Sequence, residues 1–269
     1  MLRLMKTLRL AGLAAALCGG SAFAADIIHA PPPPLVAAPA PLEVGSGFYL
    51  RGDVGIGIHD YATLDTVPPL AGLRTLNSSV DSAVFVGGGV GYQFNSFLRA
   101  DLTGEYRFDA SHRHVDVFPG GSNLITGKVG GFVGLANVYV DLGTWHRITP
   151  FIGGGVGFSA LSMGRTADYQ LGAGGALGGT GPSRSQTNFA WAIHAGLGYD
   201  LTSNLKAEVA YRYLNLGTVE GGTVTCFVAC TPFRVRLKDL QSHDIKVGLR
   251  YVFADSPAAY VPGPLIRKY

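Results

Sequence analysis

What this sequence lacks narrows it most. After the first two dozen residues, no apolar run approaches the roughly eighteen residues that a membrane-spanning helix needs. Charged residues make up only 14% of the chain, and the formal net charge is +3. Even that excess is local. Of 21 Lys+Arg, three (Arg3, Lys6 and Arg9) fall in the leader, which leaves 18 against 18 Asp+Glu. A chain without a basic field has no electrostatic footprint for nucleic acid, and no such partner is expected. There is no Gly-x-Ser-x-Gly, and no Ser/His/Asp cluster gathers at one end. Neither Gly87-Gly88-Gly89 nor Gly153-Gly154-Gly155 is followed by Gly-Lys-Ser/Thr, so neither reads as a phosphate cradle. The expectation is a non-enzymatic protein with no cofactor and no metal. Cysteine is scarce too: three residues, of which Cys18 lies in the leader and Cys226 and Cys230 lie late in the chain.

The leader itself is legible. Arg3, Lys6 and Arg9 precede an apolar stretch from Leu10 to Leu17, and Ala22-Phe23-Ala24 offers small residues at the cleavage positions. Residues 1–24 are expected to be an export signal, the apolar stretch being too short to span a bilayer. Leu17 stands where a lipoprotein signal needs a small residue before Cys18. Residues 25–46, with Pro31 to Pro34, Pro39 and Pro41, are expected to form an extended periplasmic linker. The 39 glycines, many inside apolar stretches, are hostile to helices.

From Gly47 the pattern turns to period two. In His243 to Phe253, Ile245, Val247, Leu249, Tyr251 and Phe253 share one face, while Asp244, Lys246, Gly248 and Arg250 share the other. Similar segments lie at about 47–60, 82–94, 97–109, 126–142, 148–161, 188–201, 205–216 and 243–253. The connections between them alternate long and short. A soluble sandwich has no reason to collect every long connection at one end. An up-and-down membrane barrel does this, with short periplasmic turns and long outer loops. The expected fold is all-β: an eight-stranded antiparallel up-and-down transmembrane β-barrel over 47–253, with 254–269 as a periplasmic tail. Two aromatic girdles are expected. Phe48, Phe94, Phe97, Trp145, Phe151, Tyr199 and Phe253 mark one end, and Tyr61, Phe108, Phe158, Phe189 and Tyr213 the other.

Three segments carry a resemblance: Gly47 to Gly55, Arg99 to Arg107 and Val247 to Phe253. Through them the chain resembles the small outer-membrane β-barrel proteins of alphaproteobacteria, the porin-family or opacity-like surface antigens. It is similar in plan to OmpA/OmpX-type membrane domains. The resemblance implies the outer membrane of a Gram-negative bacterium, with membrane lipid and lipopolysaccharide as surroundings. It also implies contacts with host or cell-surface ligands through the outer loops. Lys246, Gly248, Tyr251 and Phe253 resemble the signal read by the barrel-assembly machinery, although that signal normally ends the protein and here residues 254–269 follow it.

With the apolar face outward, the other face of four strands places Arg51, Asp53, Arg99, Asp101, Glu105, Arg107, Lys206, Glu208, Arg212, Asp244, Lys246 and Arg250 in the lumen. An eight-stranded barrel is just wide enough for side chains to fill, so these charges are expected to pair and largely close it. Gly87, Gly89, Gly91, Gly153, Gly155 and Gly157 are expected to make room for the long inward Arg and Lys chains. His194 is expected inside as well. Cys226 and Cys230 share an outer loop in an oxidising compartment, which favours a local disulfide. His112 and His114, in the second outer loop, are the candidate haem ligands. The leading expectation is a structural and surface barrel with contact-making loops. The alternatives are a small diffusion porin, leaning weakly to anions because seven of those lumen charges are cations and five are anions, and a surface receptor or adhesin, with haem as candidate ligand.

Overall fold

The computed structural model describes residues 47–253, apart from the placement of Ala229 and the side chain of Ala62. The export signal, the Pro-rich linker and the C-terminal tail expected from the sequence lie outside the described residues. The strands are β1 (Gly47–Val67), β2 (Arg74–Val80), β3 (Ala83–Gln93), β4 (Leu98–Phe118), β5 (Gly121–Asp141), β6 (Ile148–Met163), β7 (Thr166–Gln170), β8 (Ala176–Gly181), β9 (Arg184–Asp200), β10 (Leu205–Glu220), β11 (Thr225–Cys226) and β12 (Arg234–Val252). Eight of them close a ring in the order β1-β3-β4-β5-β6-β9-β10-β12, antiparallel throughout, with β12 returning to β1. Closure leaves the lower, eight-strand ring no unpaired edge.

Period-two alternation sets the two faces. Leu50, Val54 and Ile56 of β1, Leu102 of β4, Ile152 and Val156 of β6 and Val247 and Leu249 of β12 point outward and are exposed. That apolar belt is what a lipid-facing wall requires. Phe48, Phe94, Phe97, Trp145, Tyr199 and Phe253 stand exposed at the short-turn end, and Phe108, Phe158 and Phe189 at the other. Two aromatics depart from the expected girdles. Phe151 is buried inside against Tyr139, and Tyr61 packs partly buried against the interior cluster.

The expected long loops are largely wall. β4 and β5 run on to a two-residue turn at Pro119 and Gly120, with Gly120 at φ 106°, where the sequence suggested a loop over 110–125. β2 extends this wall on the free side of β4, and β7, β8 and β11 extend it beyond β5. The physical reason is a set of register shifts. Between Arg107 and Ala110 the β4–β5 ladder slips. Below the slip, odd-numbered residues of β4 face inward. Above it, even-numbered ones do. A β-bulge of this kind redirects a strand without ending it. A second irregularity, where Asp239 adopts φ 49°, does the same for β12.

Candidate functional site

The interior is layered. At the short-turn end is a belt of ion pairs. Arg51 donates to Asp53 at 2.8 Å and to Asp101 at 3.0 Å. Glu208 lies within ion-pair distance of three guanidiniums, Arg51 at 3.4 Å, Arg99 at 3.3 Å and Arg250 at 2.8 Å. Arg99 also donates to Asp141 at 3.1 Å, and its guanidinium lies 4.4 Å from the ring centre of Tyr139 and 4.7 Å from that of Phe151. One level up, Arg212 grips Glu105 with two bonds of 2.8 Å each. Arg107 grips Asp244 at 2.8 and 3.0 Å. Lys246 stands 3.8 Å from Asp53, and Lys206 pairs with Asp200. His194 is buried with Nε2 3.2 Å from the Asn137 amide oxygen.

All twelve sequence-derived lumen charges therefore come together in one connected region or at its edge. Asp141 and Asp200 were missed, and they alter the balance. With them the belt holds seven cations and seven anions, so the cation surplus behind the anion-leaning expectation does not exist. The glycines also serve another purpose. The spaces at Gly91, Gly153 and Gly155 are filled by Tyr49, Tyr139 and Asn137 rather than by Arg and Lys chains. At Gly57, which the sequence did not single out, a Cβ would collide with Arg107, Asp244 and Ser242.

Above the belt sits an apolar layer that the sequence did not reveal. Leu135, Val133, Leu161, Met163, Leu214, Leu216, Leu237 and Leu240 meet there from four strands, all buried. β5, β10 and β12 also carry charges of the belt on their inward faces, whereas β6 carries none.

The third layer is the cup formed by the raised wall. His112 and His114, expected on an exposed loop, sit on β4 above the bulge and point inward. Each is 1% exposed, and their rings are stacked 6.0 Å apart. The haem reading placed these histidines on an outer loop; they lie instead on the inward face of β4. Burial, and His114 beside it, hold His112 down to about 4. Asp116 continues the row and accepts from the Thr75 hydroxyl at 2.6 Å. Opposite it on β7, Asp168 accepts from Asn123 at 3.0 Å. Burial and the neighbouring Asp116 push Asp168 up to about 6. Among the described residues no three or more His, Cys, Asp or Glu are arranged to hold a metal ion. Over the cup, Cys226 and Cys230 are joined, with Cα atoms 5.9 Å apart. Of the residues resembling an assembly signal, Lys246 and Gly248 face inward beside Asp53, while Tyr251 and Phe253 make an outward edge-to-face pair 5.1 Å apart.

Residues 13–253 match the outer membrane protein β-barrel domain. The chain belongs to that family. It is 31% identical over 239 residues to an uncharacterised Brucella melitensis protein, covering 78% of this chain and 82% of that one. It is 26% identical over 245 residues to the outer membrane protein PagN of Salmonella typhimurium, covering 82% of this chain and 96% of the other. A candidate adhesin of Rickettsia bellii is 28% identical over 166 residues, 61% of this chain and 72% of its own. The crystal structure of OprG from Pseudomonas aeruginosa shares the fold at a TM-score of 0.52 and 16% identity, over 79% of this chain and 97% of that one. The protein is thus an outer-membrane β-barrel of a Gram-negative bacterium. Its short turns face the periplasm, and the raised wall stands outside the cell.

Proposed function

We propose that this member of the outer-membrane barrel family is a surface anchor with a closed lumen, whose extracellular wall makes contacts with other cells or host surfaces. The apolar layer carries the reading. Ion pairs alone could part to admit water. A packed layer of leucine, valine and methionine leaves no polar path and no group to solvate one. The charge belt beneath it is balanced and offers no net field to draw ions of either sign.

The activity then belongs at the outer rim. Leu76, Phe227 and Val228 are all more than 60% exposed there, beyond the lipid-facing belt. Large apolar side chains in water at the tips of a fixed wall mark a contact surface. The disulfide flanks Phe227 and Val228 and stiffens their presentation. A candidate adhesin among the relatives agrees with this reading. Along β12, the Lys246, Gly248, Tyr251 and Phe253 pattern is read during insertion by the barrel-assembly machinery.

Planar-bilayer recording on the refolded chain, with folding established by heat-sensitive gel mobility, tests the closed lumen. Folded protein should stay silent, and reproducible channels of uniform size would replace the anchor with a diffusion channel. Attachment tests the rim. A non-adherent Gram-negative host displaying the protein should gain binding to cell monolayers. Replacing Leu76, Phe227 and Val228 by Ser should abolish that gain, and display without any gain ends the contact role.

A further inference from the structure

Within the extracellular cup lies a cavity of about 430 Å³, a size typical of small-molecule sites. Its polar side is made by Asp116, Asp168 and Asn123, and its apolar wall includes Leu70, Phe118 and Phe233. The disulfide borders it as well. Two features set it apart from a solvated hollow. No lysine, arginine or histidine is among its lining residues, so two carboxylates face it without a lining cation. Each carboxylate is at least 98% buried, and each keeps one oxygen with no hydrogen-bond partner, Oδ2 of Asp116 and Oδ1 of Asp168. Their other oxygens are taken by Thr75 and Asn123. His114 Nε2 stands at ion-pair distance, 3.4 Å, from Asp116 Oδ2, so Asp168 Oδ1 is the oxygen with neither a hydrogen bond nor an ion pair.

A buried carboxylate oxygen with no donor is costly, and a charge-assisted bond relieves that cost. The geometry points to a binding site for a small organic cation, an amine carrying an apolar or aromatic body. The ammonium group donates to Asp116 Oδ2 and Asp168 Oδ1, and the body lies against Leu70, Phe118 and Phe233. A bare metal ion suits the cavity poorly. The apolar wall offers it nothing, and the described residues supply no cluster of ligands. The raised affinity of Asp168 for a proton, caused by burial and by Asp116, fits a site that wants a positive partner. This site is independent of whether the lumen below conducts.

The test uses the full mature chain, refolded in zwitterionic nanodiscs, with 2-phenylethylamine as probe and 2-phenylethanol as its uncharged counterpart. Calorimetric titration should show saturable binding of the amine, with the alcohol at least about tenfold weaker, the scale of one charge-assisted hydrogen bond. Asp168→Asn keeps the shape and the Asn123 contact, and should weaken the amine by about ten- to a hundredfold while leaving the alcohol unchanged. Asp116→Asn should act likewise, and Arg113→Gln, outside the cavity, should change nothing. Gel mobility checks that each variant is folded. Equal binding of amine and alcohol, no saturable binding of either, or an amine affinity indifferent to both Asp variants would overturn the proposal. Displacement of the amine by equimolar Zn²⁺ or Ca²⁺ would overturn it in favour of a metal site.

Discussion

Glu208 is the residue on which the closed, dry belt can be tested most sharply. It is 6% exposed and faces Arg51, Arg99 and Arg250 at 3.4, 3.3 and 2.8 Å. Glu208→Gln keeps the side-chain outline and one acceptor oxygen but leaves three guanidiniums short of a counter-charge. Removing one partner from a buried charge network costs about 3–5 kcal/mol, and the retained acceptor places this variant near the lower end. With a urea slope of about 1–3 kcal/mol per molar, the unfolding midpoint in lipid vesicles should fall by about 1–3 M. In a wet lumen the same groups would be solvated, and the loss would match an exposed pair, about 0–1 kcal/mol. Adding Arg250→Met removes the surplus charge, and the double variant should regain most of the lost stability, because replacing both partners by uncharged groups of similar bulk is often neutral. A single-variant loss of no more than about 1 kcal/mol refutes the dry belt. A double variant that only adds the two losses refutes charge balance as its organising feature.

The lipid-facing wall makes a separate prediction. Val247→Arg, outward in the middle of β12, should cost about 2–4 kcal/mol, whereas Ile58→Arg, at the outer edge of the apolar belt, should cost about 0–1; urea unfolding in vesicles reads both, and equal costs would misplace the membrane. The cup predicts a pH dependence. Asp168 is faced by Asp116 and His114 from β4, with His112 below, and by Asn123 from β5, and it sits at about 6 against an ordinary value near 3.8. A carboxyl raised in the folded state contributes stability that is full below about pH 4 and is lost as pH rises through about 6. Amine binding has the opposite sign, because it needs the ionised carboxylate. Affinity for 2-phenylethylamine should climb between pH 5 and pH 7, and Asp168→Asn should flatten the profile; a profile unchanged by that substitution removes Asp168 from the site.

Much of the barrel was legible because its physics repeats. Alternation every second residue marked all eight ring strands, and alternation in connection length gave the ends their identity. The inward charges could be counted because lipid forbids charge on the other face. What escaped was whatever depends on a register shift or a cross-strand meeting. The slip between Arg107 and Ala110 changes which parity of β4 faces inward. A strict period-two count ends the strand there, so His112 and His114 looked like loop residues. Asp141 was missed because its strand, β5, is rich in glycine and apolar residues, which hid its inward row. The apolar layer was invisible because the same residue types form the lipid face. Only the ring shows that Leu214, Leu237 and Leu161 meet on the inside.

The layering also says why function should lie outside the membrane. A barrel of eight strands has little interior to spend. Here that interior holds seven cations and seven anions, several guanidiniums stacked on aromatic rings, and then an apolar layer, and this filling is the ground for the proposed closed lumen. Above that layer the same inward rows continue, but their character reverses. On β4 the sequence of inward residues runs from Arg99, Asp101, Glu105 and Arg107, each in an ion pair, through Ala110 in the apolar layer, to His112, His114 and Asp116. Both ring nitrogens of each histidine and one oxygen of Asp116 have no hydrogen-bond partner. The inward row of this one strand changes character at the bulge, just beyond the outer girdle residue Phe108, and the proposed binding surface begins there.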